Sequence, residues 1–196
     1  RSGQWDMWLA DADGREAIRL TTLGGIEYFN WAPDGAFLVL ERRETSALTA
    51  IYSVPTTGCA PRRLADGKYR DTSPSVSRDG RRIYFSSDRS AQREVYRMTI
   101  DGGSIEVVTA GGGDLPLETY DGQYLVFVRK AANFRGVGPL WVVPVAGGDE
   151  RRLPVSSGGN FTVGREGIYV VPPKDSLVSV CDPVTGAVRT IPNLSA

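Results

Sequence analysis

Residues 73–109 read SPSVSRDGRRIYFSSDRSAQREVYRMTIDGGSIEVVT. Three β-prone runs, RRIYFSS, REVYRMTI and IEVVTA, are divided by polar residues and by the pairs Asp79–Gly80 and Asp101–Gly102. An aspartate at such a place accepts hydrogen bonds from backbone N–H groups just downstream, and glycine adopts positive φ freely, so each pair builds a tight hairpin. A fourth short segment, PSVS, stands before the first pair. The serines, aspartates and arginines here could serve chemistry or could serve only turns. Recurrence decides between the two.

Outward from this stretch, both turns repeat. Gly14, Gly58, Gly102, Gly147 and Gly186 are separated by 44, 44, 45 and 39 residues. Six residues before them stand Trp8, Tyr52, Tyr96, Trp141 and Val180. A second series, Gly35, Gly80, Gly122 and Gly167, is spaced 45, 42 and 45. Each period carries short runs rich in Val, Ile, Tyr and Trp, bounded by Gly, Asp or Pro, with no helical spacing. The unit is four antiparallel strands in about 44 residues, the dimension of a β-propeller blade. The expected fold is therefore all-β, a propeller of four-stranded blades packed face to face about an axis. Blades are expected near residues 26–71, 72–113, 114–159 and 160–196, with half a blade at 1–25. About four and a half blades, with Arg1 standing in mid-pattern, read as an open arc or as part of a six- or seven-bladed ring.

The 23 basic and 23 acidic residues of the 196 cancel, so no net field favours nucleic acid or an anionic membrane. No apolar run approaches the length of a membrane span. The chain has no histidine, which removes from it any Ser–His–Asp or Cys–His arrangement and any His-ligated metal site. Cys59 and Cys181 lack metal-site spacing and read as unpaired thiols. No cofactor is expected. DADG at 11–14 lacks the remaining ligands of a calcium loop, and GGGD at 111–114 lacks the lysine of a phosphate loop.

The stretch 73–109 resembles the TolB-type, WD-like propeller repeat of bacteria, carried by Ser77, Asp79, Gly80, Ile83, Phe85, Ser87, Asp88, Arg89, Tyr96, Asp101, Gly102, Gly103 and Thr109. Arg78 replaces the usual proline, and residues 160–196 depart from the pattern, with no Ser–Asp–Arg after VGREG. The resemblance implies a non-catalytic protein-interaction or sensor module of a larger bacterial protein, similar to the C-terminal propellers of winged-helix regulators and Ser/Thr kinases. It thus implies a protein or peptide partner, and a possible parent fused to a DNA-binding or kinase domain. The alternative it implies is the propeller cap of a prolyl oligopeptidase-type serine peptidase whose catalytic domain lies elsewhere. A periplasmic or extracytoplasmic place agrees with the family.

Turn residues that recur once per blade are structural, so recognition is expected where blades differ. The loops leading into each inner strand are expected to carry Glu27, Tyr28, Asn30, Arg70, Asp71, Asp114 and Asn160. The insert AANFRGVGP adds Phe134 and Arg135. Arg42, Arg43, Arg89, Arg93, Arg129, Lys130 and Arg135 fall between second and third strands and should share one rim, salt-bridged or facing an anionic partner.

Overall fold

The computed structural model describes residues 5–129, 137–172 and 177–191. Phe134, Arg135 and Lys130 lie outside the described residues. Four sheets of four antiparallel strands follow one another along the chain, each a meander. The first is β3 (Ile26–Trp31), β4 (Phe37–Arg43), β5 (Thr49–Pro55) and β6 (Arg62–Arg63). The second is β7 (Thr72–Val76), β8 (Arg82–Ser87), β9 (Glu94–Thr99) and β10 (Glu106–Val107). The third is β11 (Asp114–Glu118), β12 (Tyr124–Val128), β13 (Val137–Pro144) and β14 (Arg151–Gly158). The fourth is β15 (Phe161–Gly164), β16 (Gly167–Val170), β17 (Ser179–Cys181) and β18 (Val188–Thr190). Ahead of them, β1 (Trp8–Leu9) and β2 (Ile18–Arg19) form a two-stranded sheet. Among the described residues no helix is long and apolar enough to cross a membrane.

Strand alternation makes this a propeller. Successive side chains leave a strand on opposite faces, and here both faces of a blade are apolar. Leu38 and Leu40 face the seam toward β1 and β2 with Leu20, Ala50, Tyr52 and Val54, whereas Val39 and Ile51 face the second blade with Ile83, Phe85 and Met98. Tyr84, Leu125, Phe127 and Val143 fill the next seam, and Val126, Val128, Leu140, Ile168, Val170 and Cys181 fill the last. A one-residue slip in any strand would exchange its two seams, so the pattern also holds the register.

The inner strands β3, β7 and β11 each begin with a register shift, between Ile26 and Tyr28, Thr72 and Ser75, and Asp114 and Leu117. Ser73 and Leu115 sit there at φ of 54° and 52°, left-handed conformations uncommon for residues with a Cβ. These bulges re-aim the strand starts, and they place Glu27, Tyr28, Asn30 and Asp114 inside strands rather than in the expected loops. The outermost strands β2, β6 and β10 have two residues each, shorter than the sequence runs, because they are exposed edges with little packed against them.

The Asp–Gly turns share one device. The Ser77 hydroxyl and the Arg81 N–H hold the Asp79 carboxyl below the ordinary carboxylate range, and the Thr119 hydroxyl and Gln123 N–H do the same for Asp121. The other turn series separates two roles for glycine. Gly102 at φ 86° has the Leu64 carbonyl oxygen 2.3 Å from where a Cβ would stand, whereas Gly147 at φ 94° has open space there. Gly102→Ala is expected to cost roughly 2–4 kcal/mol, because backbone strain and a clash with a neighbouring blade's main chain combine. Gly147→Ala should cost only about 1 kcal/mol, from the backbone conformation alone. Urea unfolding of the two variants checks this difference.

Candidate functional site

The inner strands β3, β7, β11 and β15 lie side by side along the axis. Each blade therefore offers two ends: the end where the inner strand begins, and the end formed by the Asp–Gly turns. The loop residues expected to recognise a partner belong to the first end, where much of the polar chemistry is internal. Asp71 is fully buried, and Nη2 of Arg89 donates to both of its carboxylate oxygens at 2.9 and 3.1 Å. Burial holds the Asp71 carboxyl above the ordinary range, with the Ser87 hydroxyl and Arg89 pulling the other way. Asp114 is also buried, with Arg93 Nε 3.4 Å away and the Ser73 hydroxyl at 3.5 Å.

Asn30 and Tyr28 also hold blades together. The Asn30 side chain donates to the Pro74 carbonyl of the next inner strand at 3.2 Å, and Ser75, the equivalent residue one blade on, donates to the Pro116 carbonyl at 2.7 Å. Tyr28 packs against the seam between the third and fourth blades. Glu27, Arg70 and Asn160 are the exposed members of the expected set, and Glu27 forms an ion pair with Arg43.

The arginines expected to share one rim do different work. Arg42 donates to the carbonyls of Leu23 and Gly24, and Arg129 to those of Ala110 and Gly112, in each case the linker from the preceding blade. Their guanidinium groups cover aromatic rings, Arg42 over Tyr52 at 5.9 Å and Arg129 over Trp141 at 3.9 Å. Arg89 makes the same kind of clamp on Asp71, within about 5 Å of the centroids of Tyr69, Phe85 and Tyr96. Arg93 is also paired across blades, with Asp114, and Arg43 within its blade, with Glu27, so among the described residues these arginines are engaged inside the chain.

The turn end differs. A depression at the axis is lined by Asn30, Trp31, Pro33, Val76, Arg78 and Glu118, with Thr162 and Val163 from β15. Beside it a second depression runs past Tyr120, Val163, Gly164, Arg165 and Val184. Trp31 and Tyr120 are each 46% exposed, large aromatic surface to leave in water. In the next two blades the residues equivalent to Trp31, four before the turn glycine, are Val76 and Glu118, and both are buried. Glu118 accepts from the Arg78 N–H and the Tyr84 hydroxyl, each at 2.7 Å, and burial lifts its carboxyl above the ordinary range. Of the residues expected to bind, Asn30 lines this end, while Trp31 and Tyr120 read there as strand and turn residues. The available signal was their size, as a large aromatic is unneeded beside a tight turn.

Fold and site together define a β-propeller of WD-like blades with an aromatic depression at one end of its axis. The profile of the TolB β-propeller domain, PD40, matches residues 29–156, and the chain belongs to that family. A protein of Agrobacterium fabrum (strain C58), bearing the name uncharacterized protein Atu1656, is 36% identical over 119 residues, covering 59% of this chain and 40% of its own length. TolB from Acinetobacter baumannii superposes with a TM-score of 0.72 at 20% identity, over 94% of this chain and 48% of that one. A puromycin-hydrolyzing peptidase of Mycobacterium tuberculosis superposes with a TM-score of 0.69 at 19% identity, over 94% of this chain and 32% of that one. At these identities the two structures share the fold. The chain spans less than half the length of each of these relatives.

Proposed function

We propose that the chain is a non-catalytic protein-interaction module that receives a peptide segment of a partner at the turn end of its axis. The observation that carries this reading is the pair of half-exposed aromatics, Trp31 and Tyr120, on contiguous depressions, with Trp31 standing where the next two blades bury Val76 and Glu118. Exposed aromatics set in a depression give large contact area for little lost conformational freedom, the usual make-up of a binding hot spot. Glu27, Arg70 and Asn160 offer a second contact at the other end.

Selection of phage-displayed random dodecapeptides on the purified chain tests the proposal. Recovered peptides are expected to lose at least tenfold in affinity on Trp31→Ala or Tyr120→Ala chains, the scale of a hot-spot aromatic. Weakening by Arg70→Ala and Asn160→Ala instead would move the site to the opposite end. Hydrolysis of esters or peptides by the chain alone would overturn the non-catalytic reading and favour the peptidase-linked one.

A further inference from the structure

Resting on that reading, we propose that the turn-end site takes an acidic segment, with a carboxylate of the partner held by Arg78 and Arg165 beside the ring of Tyr120. The guanidinium carbon of Arg78 lies 5.2 Å from the centroid of Tyr120, and that of Arg165 lies 5.3 Å from it. Arg165 Nε also donates to the Tyr120 hydroxyl at 2.9 Å. Two cations from different blades are thus gathered on one exposed ring, which limits the side-chain freedom a ligand would have to remove.

The absence, among the described residues, of a carboxylate partner for these two guanidinium groups, rather than the net charge of this end, gives the sign of the group they would hold. Among the described residues, six carboxylates near this end keep their charge but are each engaged within the chain. Asp34 accepts from the Ala36 N–H, Asp79 from Ser77 and Arg81, and Asp121 from Thr119 and Gln123. Glu118 accepts from Arg78 N–H and Tyr84, Asp182 from the N–H groups of Val184 and Thr185, and Glu166 pairs with Arg189. Among the described residues neither Arg78 nor Arg165 makes an ion pair with a carboxylate, unlike Arg42, Arg43, Arg89, Arg93 and Arg129. Guanidinium groups recognise carboxylates through charge-assisted hydrogen bonds, and a pair of them beside the exposed surfaces of Trp31 and Tyr120 favours Asp or Glu next to an apolar residue.

The same dodecapeptide selection separates this proposal from the one beneath it. Asp and Glu should be enriched about twofold or more over the unselected library, next to an aromatic or aliphatic residue. By fluorescence anisotropy, a labelled recovered peptide should bind an Arg78→Gln, Arg165→Gln double variant roughly tenfold more weakly, the scale of one charge-assisted contact. Lys68→Gln, at an exposed lysine away from the turn end, should leave its affinity unchanged. Arg78 and Arg165 are exposed, so the double variant should melt close to the parent chain. Should it not, Arg165→Gln alone serves, with a loss of a few-fold expected. Peptides that depend on Trp31 but carry no acidic enrichment, or acidic peptides bound equally by the double variant, would overturn the carboxylate reading and leave the peptide site standing. Recovery of no peptide dependent on Trp31 or Tyr120 would overturn both.

Discussion

Arg89→Ala should destabilise the chain by about 3–5 kcal/mol, the cost of leaving one member of a buried ion pair without its partner. For a chain of this size that lowers the melting temperature by roughly 10 °C. The carboxylate left behind, Asp71, is fully buried where the linker from the first blade enters the second, and Arg89 also covers the rings of Tyr69, Phe85 and Tyr96. The deficit should shrink toward acid pH. A carboxyl whose folded pKa lies above its unfolded value gives stability that is full below the unfolded value and lost as pH rises through the folded one. Burial already sets Asp71 in that direction, and removing the arginine raises it further. Melting the variant between pH 7 and pH 4 checks the trend, and adding Asp71→Asn should recover part of the loss at pH 7. A deficit independent of pH would mean that packing on the three rings, rather than the ion pair, is the larger contribution.

Phe127→Ala carries the second large effect, about 3–5 kcal/mol for emptying a fully buried aromatic position. Phe127 lies in the seam between the second and third blades with Tyr84, Val95, Leu125 and Val143. A Cβ added at Gly113 would stand 3.3 Å from the Phe127 ring, so the linker is packed directly on this side chain. In a quasi-linear array of blades each seam is a nearest-neighbour interface, and the loss should be local in character. Hydrogen exchange is expected to show β8, β9, β12 and β13 losing protection together, while β4 and β5 keep theirs. Phe127→Leu, which keeps most of the volume, should cost much less than Phe127→Ala. Uniform loss of protection along the chain would show that the blades unfold as one unit.

The fold was open to reading because its most regular feature is also its most local one. An Asp–Gly hairpin depends on a handful of consecutive residues, so Asp79–Gly80 and Asp121–Gly122 carry the same signature wherever they occur. The candidate site was hidden for the opposite reason. Trp31, Val76 and Glu118 occupy the same place in three blades, yet one is half exposed and two are buried, and no local pattern separates them. Arg89, Arg93 and Arg129 do fall between second and third strands, whereas Arg42 and Arg43 end β4 itself. Whether Arg42, Arg89 and Arg129 reach outward or clamp the preceding linker depends on the backbone carbonyls and carboxylates of another blade.

Sequence alone thus determined the all-β class, the blade period and the turn chemistry, since alternation of apolar residues and turn propensity act within a few residues. Tertiary structure alone decided which polar residues face inward, and it set Arg78, Tyr120 and Arg165 together from the second, third and fourth blades. Those three are far apart along the chain, and only the packing of blade against blade gives a guanidinium a ring or a carboxylate to meet.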